Sequence, residues 1–257
     1  MLAPSNTPEP FPAPMQTATA MPTPLVPDSG WETLRPGLER RTLNLFDDQY
    51  QLAESIFILR VDQSAFRLDI GYHETPQTLD DWRAETGALV VVNGGYFREE
   101  NGRAIPTGLT IIRGAAIGSS YEGFGGMLAI GEHGAQVRSL TAQPYNPAET
   151  LVSALQSFPL LVKPGGALGF PAENEDNQQA RRTVIAQDRD GKIIFLVASR
   201  GLFTLHQLSL FLTNSDLNLD IALNLDGGPS SGILLNDPRE MVNSLMPLPI
   251  VILIYAR

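Results

Sequence analysis

A chain of 257 residues with 43% apolar and 18% charged residues is long enough to enclose a sizeable core in one large domain or two small ones. Its net charge of -10 and pI near 4.7 argue against a nucleic-acid-binding surface, which needs clustered Lys and Arg. The absence of cysteine excludes disulfides and thiolate metal sites, and no run approaches the ~20 apolar residues of a transmembrane helix.

Residues 1–30 are rich in Pro, Thr, Ala and Ser, with prolines at 4, 8, 10, 12, 14, 22, 24 and 27 and no periodic apolar pattern. That composition predicts a disordered or polyproline-like spacer. It lacks the basic start and apolar core of a signal peptide. Such a spacer suits an extracytoplasmic or secreted domain held off a membrane or wall by something upstream; a plain unstructured tail is the simpler alternative.

The globular part is expected over residues 31–257. Arg40 to Phe46, Gln49 to Val61 and the strictly alternating Phe66 to Tyr72 predict an early antiparallel set of strands. Thr78 to Gly87 carries helix end signals: Thr78 as N-cap, two Asp in the first turn and a Gly stop. The buried strand Ala88 to Val92 then runs into Asn93-Gly94-Gly95-Tyr96-Phe97. Asn and Gly suit a turn. They also suit a side-chain amide offered to a ligand, with close backbone approach at Gly94 and Gly95 and an aromatic wall of Tyr96 and Phe97.

Short strands are expected over Pro106 to Gly114 and Gly123 to Ile130, and a helix over Ala148 to Gln156. Pro159 within Phe158 to Val162 marks an edge or bend, and Ala172 to Gln179 reads as an exposed acidic loop. Arg181 to Ala198 predicts a hairpin around Asp188-Arg189-Asp190-Gly191, with Arg181 and Arg182 at its entrance. A guanidinium can hold a phosphate through two parallel bonds; the same pair could simply be solvated beside the acidic loop. Leu205 to Leu212, N-capped by Thr204, predicts a second helix. The lone His206 in its first turn reads as structural and not catalytic, and His73 and His133 have no neighbouring His or carboxylate at metal-ligand spacing.

Between the apolar runs Ile221 to Leu225 and Gly232 to Leu235 lies Asp226-Gly227-Gly228-Pro229-Ser230-Ser231. This places a carboxylate, two glycines and two hydroxyls at the end of a buried strand, where successive backbone N–H groups can form an anion nest. An Asx-capped turn is the plainer reading. The run Ile250 to Tyr255 is a further buried strand, expected to close a sheet.

The ordered set Asn93-Gly94-Gly95-Tyr96-Phe97, Phe158-Pro159-Leu160-Leu161, Arg182-Thr183, Thr204-Leu205 and Asn224 to Ser231 resembles the phosphodiester glycosidase family, that of uncovering-enzyme-like domains, from about Leu89 onward. The resemblance implies hydrolysis of the bond between a sugar's anomeric carbon and a phosphodiester on an extracytoplasmic glycan, such as an exopolysaccharide or another glycoconjugate. Carried over by position, Asn93, Arg182, Asp226, Gly227, Gly228 and Ser231 match the family's polar cluster. Two departures stand out. Pro229 replaces a third glycine and removes an N–H donor, and Thr204-Leu205-His206-Gln207-Leu208 lacks two helical carboxylates.

The expected catalytic residues are Asp226, Asn93 and Arg182. Asp226 would act as general base, nucleophile or ligand of a divalent cation, Ca or Mg; no other cofactor is expected. Gly94, Gly95, Arg181, Thr183, Gly227, Gly228, Ser230 and Ser231 are the expected substrate and phosphate contacts, and the partner is a small-molecule or glycan substrate. The alternative is a non-catalytic carbohydrate- or wall-binding module. Attack at phosphorus would call for a clearer metal cluster. The expected architecture is α+β, strand-rich, with mixed sheets, a few covering helices and the strand-end motifs meeting at one cleft.

Overall fold

The computed structural model describes residues 25–257; most of the predicted spacer lies outside them. Within the described part of that stretch, the Asn44 N–H donates to Pro27 and the Ser29 N–H to Thr42. Asp28 and Asp216 flank the buried Arg41 guanidinium, and its bond holds the Asp28 carboxyl down at about 2.

Three sheets enclose the main core. The large sheet has eight strands in the order Glu32–Arg35, Leu38–Phe46, Leu52–Val61, Ile193–Ala198, Arg182–Asp188, Leu219–Asn224, Leu160–Lys163, Ala167–Leu168. The second runs Arg239–Val242, Ile233–Asn236, Val90–Asn93, Leu248–Ala256, Phe66–Gln77. The third runs Gly134–Ser139, Gly126–Gly131, Ser153–Ser157, Thr110–Ile112, Ala115–Ile117, and Phe97–Glu100 pairs with Arg103–Pro106 as a separate hairpin. The expectation of mixed sheets is corrected: the ladders among the described residues are antiparallel. The chain reverses at short hairpins, and few helical crossovers are available to make strands parallel.

Side-chain alternation explains the continuous apolar runs. Along Ile193–Ala198, Ile193, Phe195 and Val197 enter the core between the sheets, while Ile194, Leu196 and Ala198 pack on the opposite face. That outer face is covered by α2 (Leu205–Thr213), which contributes Leu208 and Leu212. The outer face of the second sheet is covered by α1 (Leu79–Thr86), which contributes Leu79 and Trp82. A sheet buried on both faces has no polar face to alternate with, so its strands read as unbroken apolar runs.

Both helices obey their end signals. The Thr78 side chain accepts from the Asp81 N–H, and Gly87 stops α1 at φ 68. Thr204 and Gln207 form a reciprocal capping box on α2. The expected helix over Ala148 to Gln156 is absent. A single capped turn stands at its start, in which the Ala148 N–H donates to Asn146 Oδ1 and the Asn146 N–H to Glu149 Oε1. Ser153–Ser157 then pairs on both sides as a strand and sends Leu155 into the main core; burial between two strands overrides helix propensity.

Candidate active site

Strand ends from all three sheets meet at one place. The chain leaves the large sheet after Asn224 and enters the second sheet at Ile233, so the Asp226–Ser231 segment crosses from one sheet to the other. Asn93, at the end of its strand in the second sheet, ties this crossing down. Its Nδ2 donates to the Asp226 carbonyl (2.7 Å), and its Oδ1 accepts from Thr183 Oγ1 (2.7 Å) and the Gly232 N–H (3.0 Å). The Asp226 N–H donates to the Gly94 carbonyl (3.1 Å). From the third sheet, Ser157 Oγ donates to the Asn224 carbonyl (2.7 Å).

The geometry shows what each of the expected site residues touches. Asn93 and Thr183 are fully buried and bonded to each other, and Asn93 holds the Asp226 backbone in place. Gly94 and Gly95 lie against neighbouring strands. A Cβ on Gly94 would lie 2.8 Å from Ile250 Cγ2 and 3.1 Å from its backbone, and one on Gly95 would lie 2.7 Å from Leu155 Cδ1. Gly94→Ala is therefore expected to cost about 1–3 kcal/mol by overpacking, read as a lower urea midpoint at unchanged m-value.

The N–H groups of the expected anion nest have partners within the protein. The Gly227 N–H donates to Asp226 Oδ1 (3.0 Å) and the Gly228 N–H to the Arg181 carbonyl (2.8 Å), while the Ser230 and Ser231 N–H groups close the turn onto Gly227 and Gly228. Donors already engaged within the protein are poor phosphoryl ligands. Pro229 sits in the first turn of this short 3₁₀ helix, where its missing N–H leaves no bond unmade. Gly228 takes φ 57, the left-handed region that favours glycine. Ser231 is fully buried, and Ser230 is buried with its hydroxyl beside the Met246 sulfur (3.6 Å).

Ser231 Oγ and Asn224 Oδ1 are buried without a hydrogen-bond partner among the described residues, and the charged groups lie beside them. Burial pushes the Asp226 carboxyl up to about 6, against opposing pulls from Ser230 and the Gly227 N–H. Arg182 is held by two carbonyls, Nε to Phe203 (3.2 Å) and Nη2 to Gln178 (2.6 Å). Its Nη1 makes no hydrogen bond among the described residues and lies on the Gly227 side, 4.0 Å from where a Gly227 Cβ would be. Burial lowers the Arg182 pKa from its ordinary value, yet a guanidinium stays charged. Arg181 instead turns to Asn243, with Nη2 on its carbonyl (2.6 Å).

Tyr96 completes the site. Its hydroxyl donates to the Phe158 carbonyl (2.9 Å) and accepts from Asn224 Nδ2 (2.8 Å). Burial raises its pKa, the Asp226 charge raises it further and the Arg182 charge lowers it, so the three groups share one electrostatic environment. Phe97, the other expected wall residue, packs on the main core, because neighbours along an extended strand face opposite ways.

A divalent cation finds a poor donor set here. Ca²⁺ takes six to eight oxygens, often from several carboxylates. Among the described residues no group of three or more His, Cys, Asp and Glu side chains comes together, and Asp226 would stand as the lone carboxylate. At α2, Gln207 serves the capping box and His206 Nδ1 lies 2.9 Å from the Phe170 carbonyl. The position read as a lost carboxylate is thus a capping position that Glu or Gln can fill equally. A cavity of about 680 Å³ around Gln63, Arg138 and Glu149 holds none of the strand-end residues.

Fold and site together define a class of protein: among the described residues, three antiparallel sheets and two α-helices around a core, with strand ends that gather the Asp226 carboxylate, the Arg182 guanidinium and the Tyr96 phenol. The chain belongs to the phosphodiester glycosidase family, whose model matches residues 86–255. Its fold is similar to that of the zebrafish N-acetylglucosamine-1-phosphodiester alpha-N-acetylglucosaminidase catalytic domain auto-inhibited by pro-peptide, with a TM-score of 0.66 and 21% identity over 88% of this chain and 86% of that one. A hypothetical protein from Synechocystis is also similar, with a TM-score of 0.65 and 14% identity over 86% of this chain and 62% of that one. No curated protein matches, and no helix among the described residues is long and apolar enough to cross a membrane.

Proposed function

We propose that this protein hydrolyses the bond between a sugar's anomeric carbon and a phosphodiester, on an extracytoplasmic glycan or glycoconjugate. Family membership supports the reaction class. The observation that carries the reading is the pairing of a carboxylate tuned to about 6 with an arginine whose free Nη1 adjoins the same turn.

Glycoside cleavage passes through an oxocarbenium-like state usually flanked by two acid/base groups. Phosphate is a good leaving group once its charge is held, so one carboxylate suffices. Arg182 Nη1 holds a phosphoryl oxygen and steadies the charge that grows as the C–O bond breaks. Asp226 attacks the anomeric carbon or takes the proton of the attacking water, and the anomer of the released sugar distinguishes the two. The Pro/Thr-rich N-terminal stretch supports an extracytoplasmic setting.

The test is hydrolysis of a panel of sugar-1-phosphodiesters, with and without chelator. Release of free sugar supports the reading, and chelator sensitivity would assign a cation to Asp226. No turnover on any member, with saturable sugar binding retained, assigns a binding module instead. Arg182→Lys should lower kcat/KM about 10²–10³-fold. One ammonium cannot satisfy the Phe203 and Gln178 carbonyls and also reach the phosphate. Initial rates on the best substrate, with far-UV CD to confirm the fold, read this out.

A further inference from the structure

A row of aromatic rings runs from Tyr96 through Phe124 to the cleft beside Tyr121. The Tyr96 ring packs on Phe124 (centroids 5.4 Å apart), Phe124 on Tyr121 (4.9 Å) and on Phe158 (6.3 Å, nearly parallel at 12°). Phe170 backs Phe158 edge-on. Tyr121 and Phe158 remain 54% and 39% exposed, although aromatic rings dominate burial energetics wherever the fold can enclose them.

The cleft is built, not incidental. Gln156 is buried beneath it, and its amide fixes the 120–124 loop at both ends. Oε1 accepts the Leu109 and Tyr121 N–H groups (3.0 Å each), and Nε2 donates to the Tyr121 and Phe124 carbonyls (3.0 Å each). A buried amide satisfied this fully holds the two rings in one orientation. Beside them opens a cavity of about 510 Å³, with Tyr145 and Pro144 on its wall and Glu122 and Ser120 as polar fringe, a size suited to small ligands.

We propose that this cleft is a second sugar subsite, holding a saccharide unit beyond the one at Asp226, so that the preferred substrate is an oligo- or polysaccharide and not a monosaccharide diester. The inference rests on the glycosidase reading for the ligand being a sugar. A pyranose offers an apolar C–H face that packs on an aromatic ring, and a belt of hydroxyls that needs polar neighbours. Exposed rings with Glu122, Ser120 and the loop backbone alongside supply both. A lipid chain would call for a dry groove without that fringe.

The test is calorimetric titration of the hydrolysis-deficient Asp226→Asn protein with cello-, chito-, xylo- and maltohexaose and their monosaccharides. At least one hexaose is expected to bind about tenfold or more tightly than its monosaccharide. Adding Tyr121→Ala should remove that advantage, whereas adding Tyr50→Ala, at an 87% exposed tyrosine outside the cleft, should not. Phe158→Ala is the second probe, with near-UV CD confirming that each variant stays folded. No length preference, or a preference that both cleft variants leave intact, overturns the subsite. Saturable binding of polyprenyl phosphate micelles in place of hexaoses assigns the cleft to a lipid and also overturns it. A wild-type protein that cleaves sugar-1-phosphodiesters without length preference keeps the reaction and loses the subsite; one that binds a hexaose through Tyr121 but cleaves no diester does the reverse.

Discussion

Asp226→Asn should lower kcat/KM on sugar-1-phosphodiesters by about 10³-fold or more, the loss expected when a nucleophile or general base is removed. The wild-type rate should rise with pH through about 6 and level off above it, because burial lifts the carboxyl from 3.8 to about 6 and only the ionised form acts. The variant's residual rate should show no such limb, which a pH series of kcat/KM on both proteins checks.

The same substitution should stabilise the fold at neutral pH. The sign follows from the direction of the shift. Between pH 3.8 and about 6 the folded protein keeps a proton that the unfolded chain has released, so stability falls as pH rises across that window and the full cost is present above it. A shift of roughly two units sets an upper bound of about 3 kcal/mol. Asn retains an oxygen for the Gly227 N–H and carries no charge. Urea unfolding should place the variant about 1–3 kcal/mol above wild type at pH 7, with the gap closing as pH falls toward 4. A site that trades stability for a buried charge behaves this way; equal stability at both pH values would remove the case for Asp226 as a strained, functional carboxylate.

Asn93→Ala should be the most damaging single change to the fold. It leaves Thr183 Oγ1 and the Gly232 N–H without their acceptor and the Asp226 carbonyl without its donor, all at the buried junction of two sheets. Each buried group left unpaired costs about 1–3 kcal/mol, so with three such groups a loss of about 3 kcal/mol or more is expected. Activity should fall with stability, since Asp226 loses one of the two bonds that fix its backbone. Asn93→Asp separates the effects. It keeps the acceptor for Thr183 and Gly232 but sets a carboxylate against the Asp226 carbonyl, so it should fold better than the alanine variant near pH 5 while remaining poorly active. Chemical denaturation alongside rate measurements reads both.

Several features were legible in the sequence because their causes are local. The two helices follow their caps at Thr78, Gly87 and Thr204. The hairpin over Arg182 to Ala198 turns at Gly191 with φ 81. Where the local pattern misled, as at Ala148 to Gln156, the strand pairing of Leu155 decided the outcome.

The sequence by itself determined which chain segments carry polar groups at the ends of apolar strands, and their order identified the family. Tertiary structure alone decided which of those groups are free. The amide of Asn93 is consumed by Thr183 and Asp226, 90 and 133 residues away. The Gly227 and Gly228 N–H groups are consumed by the Asp226 carboxylate and the Arg181 carbonyl. The aromatic cleft joins rings at 96, 121, 124 and 158 that share no spacing in the chain. A hydrogen bond or a ring contact is settled by what lies within a few ångströms in space, and at the meeting point of three sheets those neighbours are remote in sequence.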